Sequence, residues 1–476
     1  MSHPLAQKYP HLEVSVLKLS EVFKDNPTKR IDAEYFKREY VENEERIKKL
    51  PFTTLNDLCY FIRNGDDCRE YVENGRHYIR TGDIKDFGLD LDLTEKVSFD
   101  FVPKTVLGIG DVLVTRKGNY GKSQVIWTTD ILESVISSEI FQLKVNGINP
   151  FYLDIFLKTE YGQLQFEKHI HGVSNFSITQ DALLTFLIPL LPLSFQQHIE
   201  TLVKRAHASL QQSKALYKSA QDLLSSQLGL DSKGLIDHLS SSNYTIKTLK
   251  ESFLKTGRLD AEYYQEKYER MEQHLKSYGF VILEEICSLI NYGSVPTSPY
   301  SENDDAIPYI KGLNLKHLQI SGKLDRLTNT ERLPSKFFVQ ENDIIISQMG
   351  TVGDVGIISK EQEGYIFASF TIRIRLKEYQ NFNPFFIALY IQHIAKRWYL
   401  HRNIAQASVR QNTDLPTIRN LYIPKIPQSI QEHIARYLQK SFVLRQQAYK
   451  ELERAKLEVE CALAGGGGGI PFLNAA

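Results

Sequence analysis

Two short motifs contain side chains of the types that bind metal ions. Asp83 and Lys85 have the D-x-K spacing of magnesium-dependent nucleases. The matching position in the second half of the chain is Asn314, which lacks the anionic oxygen that a hard cation prefers. His169 and His171 lie two residues apart, and we interpret them as core or surface residues. The sequence therefore predicts neither a nuclease centre nor a metal site.

Two further motifs involve glycine and asparagine. Residues 118–123, GNYGKS, contain part of a phosphate-binding loop, but Arg116 stands where that loop needs a glycine. A hairpin turn is the favoured interpretation. Asn149-Pro150 and Asn383-Pro384 are followed by aromatic residues, as in the tetrapeptide with which amino-methyltransferases hold a flipped base. The tetrapeptide's third proline is missing in both, so each pair predicts the start of a helix.

Polar loops carry a different chemistry, because Arg, Lys, Asn and Gln pair with the edges of guanine and adenine and with phosphates. Solvated loops also contain such residues without binding anything. The DNA-contact candidates are Arg63, Asn64, Arg80, Lys85, Arg116, Lys117, Asn119, Tyr120, Lys122, His171, Asn175, Lys311, Asn314, Lys316, Gln348, Arg402, Asn403, Arg410, Gln411 and Asn412.

The elements that must position these loops occur twice. Residues 78–85 match residues 309–316, each a short strand running into a polar turn. Residues 110–121 match residues 342–353, and each predicts a β-branched strand, a turn bounded by glycines and a second strand. The chain therefore indicates two similar domains with different polar residues.

Each domain is followed by a long segment with apolar or small residues at alternating steps of three and four. This spacing predicts two long helices, over residues 191–228 and 426–463, with a coiled-coil-like stripe. The predicted helix-packing residues are Ile199, Leu202, Ala206, Leu216, Ala220, Leu223, Ile434, Tyr437, Ser441, Leu444, Ala448 and Ala455.

The composition is that of ordinary folded protein. The chain has 476 residues, 42% hydrophobic and 24% charged, with 57 basic and 57 acidic side chains. Its four cysteines show no CxxC spacing, which argues against a disulfide framework or a zinc site. We expect a cytoplasmic protein with no membrane contact, because no apolar run reaches the roughly 20 residues that span a bilayer.

With both halves laid out, the chain resembles the specificity (S) subunit of type I restriction–modification systems. The likeness rests on YIRTGDIKD, GDVLVTRKGNYGKSQVI, the repeated LIPLLPLSFQQHI and YIPKIPQSIQEHI, and the helix after each. It implies an α+β fold with two similar mixed α/β target recognition domains, joined by two long antiparallel coiled-coil-like helices. The expected boundaries are 1–193 and 231–427 for the domains, 194–230 and 428–463 for the helices, and 464–476 for a glycine-rich tail.

The resemblance also implies a non-catalytic function. Each domain would read one half of a bipartite DNA target, and the helices would dock two methylation subunits. Restriction subunits are possible further partners. This chain would bind no cofactor, whereas S-adenosylmethionine, ATP and magnesium would belong to the other subunits of an adenine-methylating, ATP-dependent endonuclease complex. The alternatives are the specificity subunit of a fused nuclease–methylase system and a protein-binding coiled-coil scaffold.

Overall fold

The structure is a computed structural model that describes residues 8, 16–23, 26, 29–85, 88–89, 91, 94–170, 176–231, 244–377, 381–404 and 412–465. The chain divides into two compact units. Unit 1 contains residues 1–211 and 445–476, and unit 2 contains residues 212–444. Both long helices are therefore shared between the units. The fold is a mixture of helices and sheets.

The described strands of unit 1 are β1 (Phe52–Thr54), β2 (Cys59–Asn64), β3 (Arg76–Ile79), β4 (Ile84–Lys85), β5 (Gly88–Leu89), β6 (Lys96–Val97), β7 (Val112–Thr115), β8 (Ser123–Val125), β9 (Val135–Ile136), β10 (Ile140–Val145) and β11 (Leu187–Pro189). Its helices are Leu19–Phe23, Arg38–Lys48, Leu55–Leu58, Pro150–Lys158, Glu160–His169 and Gln180–Leu184, with a 3-10 turn at Thr129–Ile131. The first long helix, Leu193–Gln227, begins in this unit, and the second long helix, Gln428–Leu463, ends in it.

Two sheets organise unit 1. The larger sheet is antiparallel in the order β2-β10-β7-β8, and the smaller has the order β6-β3-β9, with β3 parallel to β9. All four residues of β7 are buried, as expected for a strand rich in β-branched side chains. Its hairpin partner is β8, which confirms the predicted hairpin.

The described strands of unit 2 are β12 (Phe280–Ile282), β13 (Cys287–Tyr292), β14 (Ile307–Ile310), β15 (Leu315–Lys316), β16 (Gln319–Ile320), β17 (Asp325–Leu327), β18 (Ile344–Ser347), β19 (Val355–Ile357), β20 (Ile366–Phe367), β21 (Thr371–Leu376) and β22 (Tyr422–Pro424). Its helices are Phe253–Thr256, Glu266–Ser277, Leu283–Ile286, Pro384–Tyr390, a π-helical stretch Ile391–Leu400, His401–Asn403 and Leu415–Arg419, with 3-10 turns at Gly312–Asn314, Ser335–Phe337 and Lys360–Gln362.

The sheets of unit 2 follow the same plan. The order β13-β21-β18-β19 corresponds to β2-β10-β7-β8, and β17-β14-β20 corresponds to β6-β3-β9. The hairpin β18–β19 is again as predicted. Its turn contains Gly353 at φ +82°, where an added Cβ would lie 2.9 Å from Leu400, so the turn requires glycine for both its conformation and its space.

The helices after each large sheet begin as the sequence predicts. Asn149 caps Pro150–Lys158 by accepting hydrogen bonds from the two backbone N–H groups after the proline. Asn383 caps Pro384–Tyr390 through the N–H of Phe385. Proline occupies the first turn in both, where its missing N–H costs nothing. These two asparagines therefore have a structural role.

The long helices are confirmed, and their packing is visible inside each unit. In unit 1, His198 Nε2 lies 2.8 Å from Glu458 Oε2, and Arg205 pairs with Glu451 at 3.6 Å. Because the contacts run in opposite directions along the two segments, the segments are antiparallel there. In unit 2, the hydroxyl groups of Ser213 and Ser441 each donate to the other's backbone carbonyl oxygen at 2.8 Å.

Most predicted helix-packing residues are at least partly buried. Those that are buried are Ile199, Leu202, Ala206, Ala220, Ile434, Ser441, Ala448 and Ala455, and those that are half-buried are Leu216, Leu223 and Leu444. Tyr437 is a correction: it is 38% exposed, and its neighbour Leu438 is buried instead. A straight helix has 3.6 residues per turn, so a stripe written with a strict 3.5 repeat drifts off the buried face.

Candidate nucleic-acid interface

In unit 1, the ends of several strands meet at Ser137, Ser138 and Glu139, which lie between β9 and β10. Three backbone hydrogen bonds hold this junction together. They run from Ser137 N to Ile79 O (2.8 Å), from Ser138 N to Asp66 O (2.8 Å) and from Arg116 N to Glu139 O (2.9 Å). The loops that follow β2, β3 and β7 are therefore brought to one place, although they are far apart in sequence.

An open groove lies at this junction, and we call it the unit 1 groove. It is lined by Asp67, Tyr71, Arg80, Gly82 and Glu139, among others. The full lining contains one guanidinium group, that of Arg80, and three carboxyl groups, those of Asp67, Asp83 and Glu139. A groove of this character can donate to acceptors through the guanidinium group and accept from amino groups through the carboxylates.

The floor of the groove is a buried tyrosine. The Tyr78 hydroxyl donates to Asp66 O at 2.8 Å and accepts from the N–H of Cys68 at 3.3 Å, and burial raises the pKa of this phenol. Tyr71 lies over it, with ring centroids 6.0 Å apart. Arg80 follows the end of β3, and its Nη2 atom lies 3.9 Å from Glu95 Oε1. The groove is thus fixed from below by hydrogen bonds between segments.

The turn of the β7–β8 hairpin borders the same junction. The Arg116 guanidinium lies over the ring of Phe141, 5.2 Å from its centroid. Lys117 lies 3.9 Å from Glu139, and the N–H of Gly118 donates to Phe176 O at 3.1 Å. Two of the candidate cations are therefore held beside the groove.

The other candidates of unit 1 are spread more widely. Arg63, Lys85 and Asn119 are exposed, whereas Asn64, Tyr120 and Lys122 are half-buried. Tyr120 packs against the main core of the unit, and burial raises its pKa. His171 and Asn175 lie outside the described residues.

Unit 2 has an equivalent junction at residues 368–370. The corresponding hydrogen bonds run from Ala368 N to Ile310 O (2.9 Å), from Gln348 N to Phe370 O (3.0 Å) and from the Tyr309 hydroxyl to Ser294 O (2.6 Å). These bonds pair the positions Asp66 with Ser294, Tyr78 with Tyr309, Arg80 with Lys311, Arg116 with Gln348 and Glu139 with Phe370. The backbone frame is shared, and the side chains on it differ.

The cation beside the junction is also equivalent. Lys311 forms an ion pair with Asp325, and its ammonium lies 4.0 Å from the centroid of the Tyr300 ring. Tyr300 stands over Tyr309 as Tyr71 stands over Tyr78. Lys316 is exposed, and Asn412 forms an isolated antiparallel β-bridge with Met349 in the neighbouring turn. These residues remain candidates for contact with DNA.

Asn314 is a correction, because it is 1% exposed. Its side-chain oxygen accepts from the N–H of Lys311 at 2.9 Å, and its amide nitrogen donates to the carbonyl oxygens of Ser321 (3.2 Å) and Lys323 (3.3 Å). The side-chain amide of Asn314 therefore makes its hydrogen bonds within the protein. Its equivalent, Asp83, accepts from the N–H of Arg80 at 2.8 Å. Both residues therefore shape a turn.

Arg402 and Asn403 are half-buried and also make contacts within unit 2. The Arg402 guanidinium pairs with Glu272 at 2.9 Å, donates to the carbonyl oxygen of Tyr263 at 3.0 Å and lies over that tyrosine's ring. The Asn403 amide donates to Tyr399 O at 2.8 Å. These contacts hold both side chains against unit 2, and their contact with DNA stays a prediction. Arg410 and Gln411 lie outside the described residues.

The DNA-contact candidates predicted from bases and amides do not include the carboxylates Asp67 and Glu139 or the exposed apolar residues of unit 2. A signal was present in the repeat. Glu139 and Phe370 both come just before the last long strand of their sheet, and a side-by-side comparison of the halves exposes the exchange of charge for an aromatic ring.

Residues 276–454 match the family model for the type I restriction modification DNA specificity domain. This part of the chain, most of unit 2 with much of the second long helix, is therefore similar to the DNA specificity domain of type I restriction–modification systems. The resemblance that the sequence motifs indicated is confirmed.

Solved structures of such proteins are similar to this chain. A crystal structure of a type I S subunit from M. genitalium has a TM-score of 0.46 and 11% identity, covering 87% of this chain and 95% of that one. The HsdS subunit from Thermoanaerobacter tengcongensis has a TM-score of 0.29 and 14% identity, with 87% and 96% coverage. A structure described as showing complex assembly and conformational transition of the type I R-M system has a TM-score of 0.29 and 16% identity, covering 87% of this chain and 98% of that one. No match was found among curated protein sequences.

No group of three or more His, Cys, Asp or Glu side chains is placed to hold a metal ion in the part of the chain that the structure describes. Among the described helices, none is both long enough and apolar enough to cross a bilayer.

Proposed function

We propose that units 1 and 2 are two target recognition domains that arose by internal duplication, each reading one half of a bipartite DNA target. The two long helices are the antiparallel spacer between them. The boundaries are those that the sequence indicates: domains at 1–193 and 231–427, helices at 194–230 and 428–463, and a tail at 464–476. The protein acts in the cytoplasm.

One observation carries this proposal: the same junction of hydrogen bonds occurs in both units and presents different side chains. In unit 1 the junction holds Arg80, Arg116 and Glu139, and in unit 2 the same positions are Lys311, Gln348 and Phe370. A shared frame with exchanged side chains is what two readers of different short sequences require. Arg pairs well with guanine and Gln with adenine, so the two junctions favour different bases.

The length of the helices supports a split target. Leu193–Gln227 contains 35 residues, which at roughly 1.5 Å per residue measure about 50 Å. DNA rises about 3.4 Å per base pair along one strand. A spacer of this length favours two recognised elements separated by several unread base pairs.

The partners follow from the type I assignment. Two methylation subunits dock on the helices, and S-adenosylmethionine is bound by those subunits. Restriction subunits that use ATP and magnesium complete a complex that also cleaves DNA. The runner-up arrangement has methylase and nuclease fused in one partner. A scaffold that binds only protein is the remaining alternative, which the two junctions disfavour.

The test is a binding competition with the complex of this chain and its methylation subunits. The labelled duplex carries a site that the complex methylates, and the competitors are unlabelled cognate duplex and a scrambled duplex of the same composition. We expect the cognate duplex to compete at least 1,000-fold better at physiological salt, the lower end for specific binding. Equal competition would refute sequence recognition and leave the scaffold alternative.

A further inference from the structure

Unit 2 exposes three large apolar side chains around its junction. Val295 is 65% exposed, Leu313 is 64% exposed and Phe370 is 58% exposed. Val295 follows Ser294, which forms an isolated β-bridge with Ala368. Leu313 lies in the turn after β14. Water-exposed apolar groups are individually common, but a set that borders one site marks a binding surface.

The equivalent positions in unit 1 show that the three belong to one place. The shared hydrogen bonds pair Val295 with Asp67, Leu313 with Gly82 and Phe370 with Glu139. All three unit 1 residues line the unit 1 groove. Two carboxylates and a glycine that line the unit 1 groove are therefore replaced by exposed apolar side chains in unit 2.

The surroundings of Phe370 identify an occupant. Its carbonyl oxygen accepts from the N–H of Gln348 at 3.0 Å, so the two residues are held side by side. Lys311 lies on the third side of the junction, at the end of β14. In the major groove an A·T pair presents the N6/N7 edge that a glutamine amide recognises, beside the methyl group of thymine. Phenylalanine is one of the side chains that contact this methyl group.

We propose that Phe370, supported by Val295 and Leu313, is a specificity-determining residue that contacts thymine methyl groups in the half-site read by unit 2. This inference rests on the proposed function and names the chemistry of one of its two readers. In unit 1, Asp67 and Glu139 stand at two of the three places, and their carboxylates accept hydrogen bonds from the amino group of cytosine, which a thymine methyl group cannot donate. The target consequently contains at least one A·T pair in the half-site of unit 2.

The experiment uses the full chain in complex with its methylation subunits, without S-adenosylmethionine, and duplexes carrying the methylated motif. Each thymine is replaced in turn by deoxyuridine, which removes the methyl group and leaves the base pair intact. We expect deoxyuridine to weaken binding about four-fold per contacted methyl, from the value of one buried carbon. The effect should be confined to one half-site.

A variant assigns the effect to the residue. Phe370→Ser should bind the thymine duplex more weakly and lose the distinction between thymine and deoxyuridine. Leu259→Ser is the matched control, because Leu259 is another exposed large apolar residue of unit 2, at 70% against 58% for Phe370. It should keep the full distinction.

Three results would overturn the inference. Deoxyuridine could leave binding unchanged at every position while cognate DNA still outcompetes scrambled DNA, which would spare the proposed function. Phe370→Ser could weaken assembly with the methylation subunits and keep the methyl preference, which would make the surface a protein-docking site. A motif without an A·T pair in either half would contradict it directly. If scrambled DNA competes equally with cognate DNA, the proposed function and this inference fail together.

Discussion

Replacing Asn314 with alanine tests whether this residue shapes the turn or touches DNA. The change removes one acceptor for the N–H of Lys311 and two donors, all in a site that is 1% exposed. The bond to Lys311 is well formed at 2.9 Å, whereas the two donor bonds are long. Counting about 1 kcal/mol for the good bond, and about 1–2 kcal/mol for the weaker bonds and buried groups left unpaired, we expect about 2–3 kcal/mol of destabilisation.

The assay combines urea unfolding with hydrogen exchange, in which the amide of Lys311 reports the lost bond directly. Asp83→Ala in unit 1 is the matched control, because Asp83 makes a single bond of this kind, to the N–H of Arg80. It should cost about 1 kcal/mol. A destabilisation below about 0.5 kcal/mol for Asn314→Ala, together with a ten-fold loss of binding to cognate DNA, would refute the structural role and restore a direct contact.

Three further predictions concern the helices and a buried histidine. Ser213→Leu should destabilise the protein by about 1–3 kcal/mol in urea unfolding, because a large side chain cannot fit where Ser213 and Ser441 meet. Ser213→Ala should cost about 1 kcal/mol, and equal costs for the two variants would contradict close packing. Inserting seven residues after Ser213 and seven before Ser441 should lengthen the unread gap by about three base pairs in a methylation assay, from roughly 1.5 Å per residue and 3.4 Å per base pair; altered half-sites would show that the helices are not a spacer. Burial lowers the pKa of His169 from 6.5 to about 3, so as the pH falls below 6.5 this histidine is protonated in the unfolded chain before it is protonated in the folded protein. The free energy of unfolding should therefore fall by up to about 1.4 kcal/mol per pH unit below pH 6.5. His169→Gln should flatten this dependence in acid unfolding, and an unchanged slope would show that His169 does not cause it.

Local signals predicted much of the scaffold. A β-branched run followed by a turn with glycine specifies a hairpin within a few residues, and both hairpins form as expected. The Asn-Pro pairs at 149 and 383 likewise start helices through contacts with their immediate neighbours. Such features depend on short-range geometry, which a sequence displays directly.

The site depends on contacts between distant segments, and there the sequence was a poorer guide. Asn314 and Arg402 read as solvated loop residues, yet each satisfies groups elsewhere in the protein. A polar side chain that serves the backbone looks the same in sequence as one that serves a ligand. Glu139 and Phe370 were missed because their place beside the groove results from hydrogen bonds between strands that are remote in the chain.

The most direct test of the central claim is a methylation map of host DNA, read by single-molecule sequencing with and without this gene while the methylation subunits are expressed. We expect methyl-adenines in a split motif, one on each strand, that appear only when the gene is present. A methylation pattern that does not change with the gene, with the partner shown to be bound, would contradict sequence recognition by this chain.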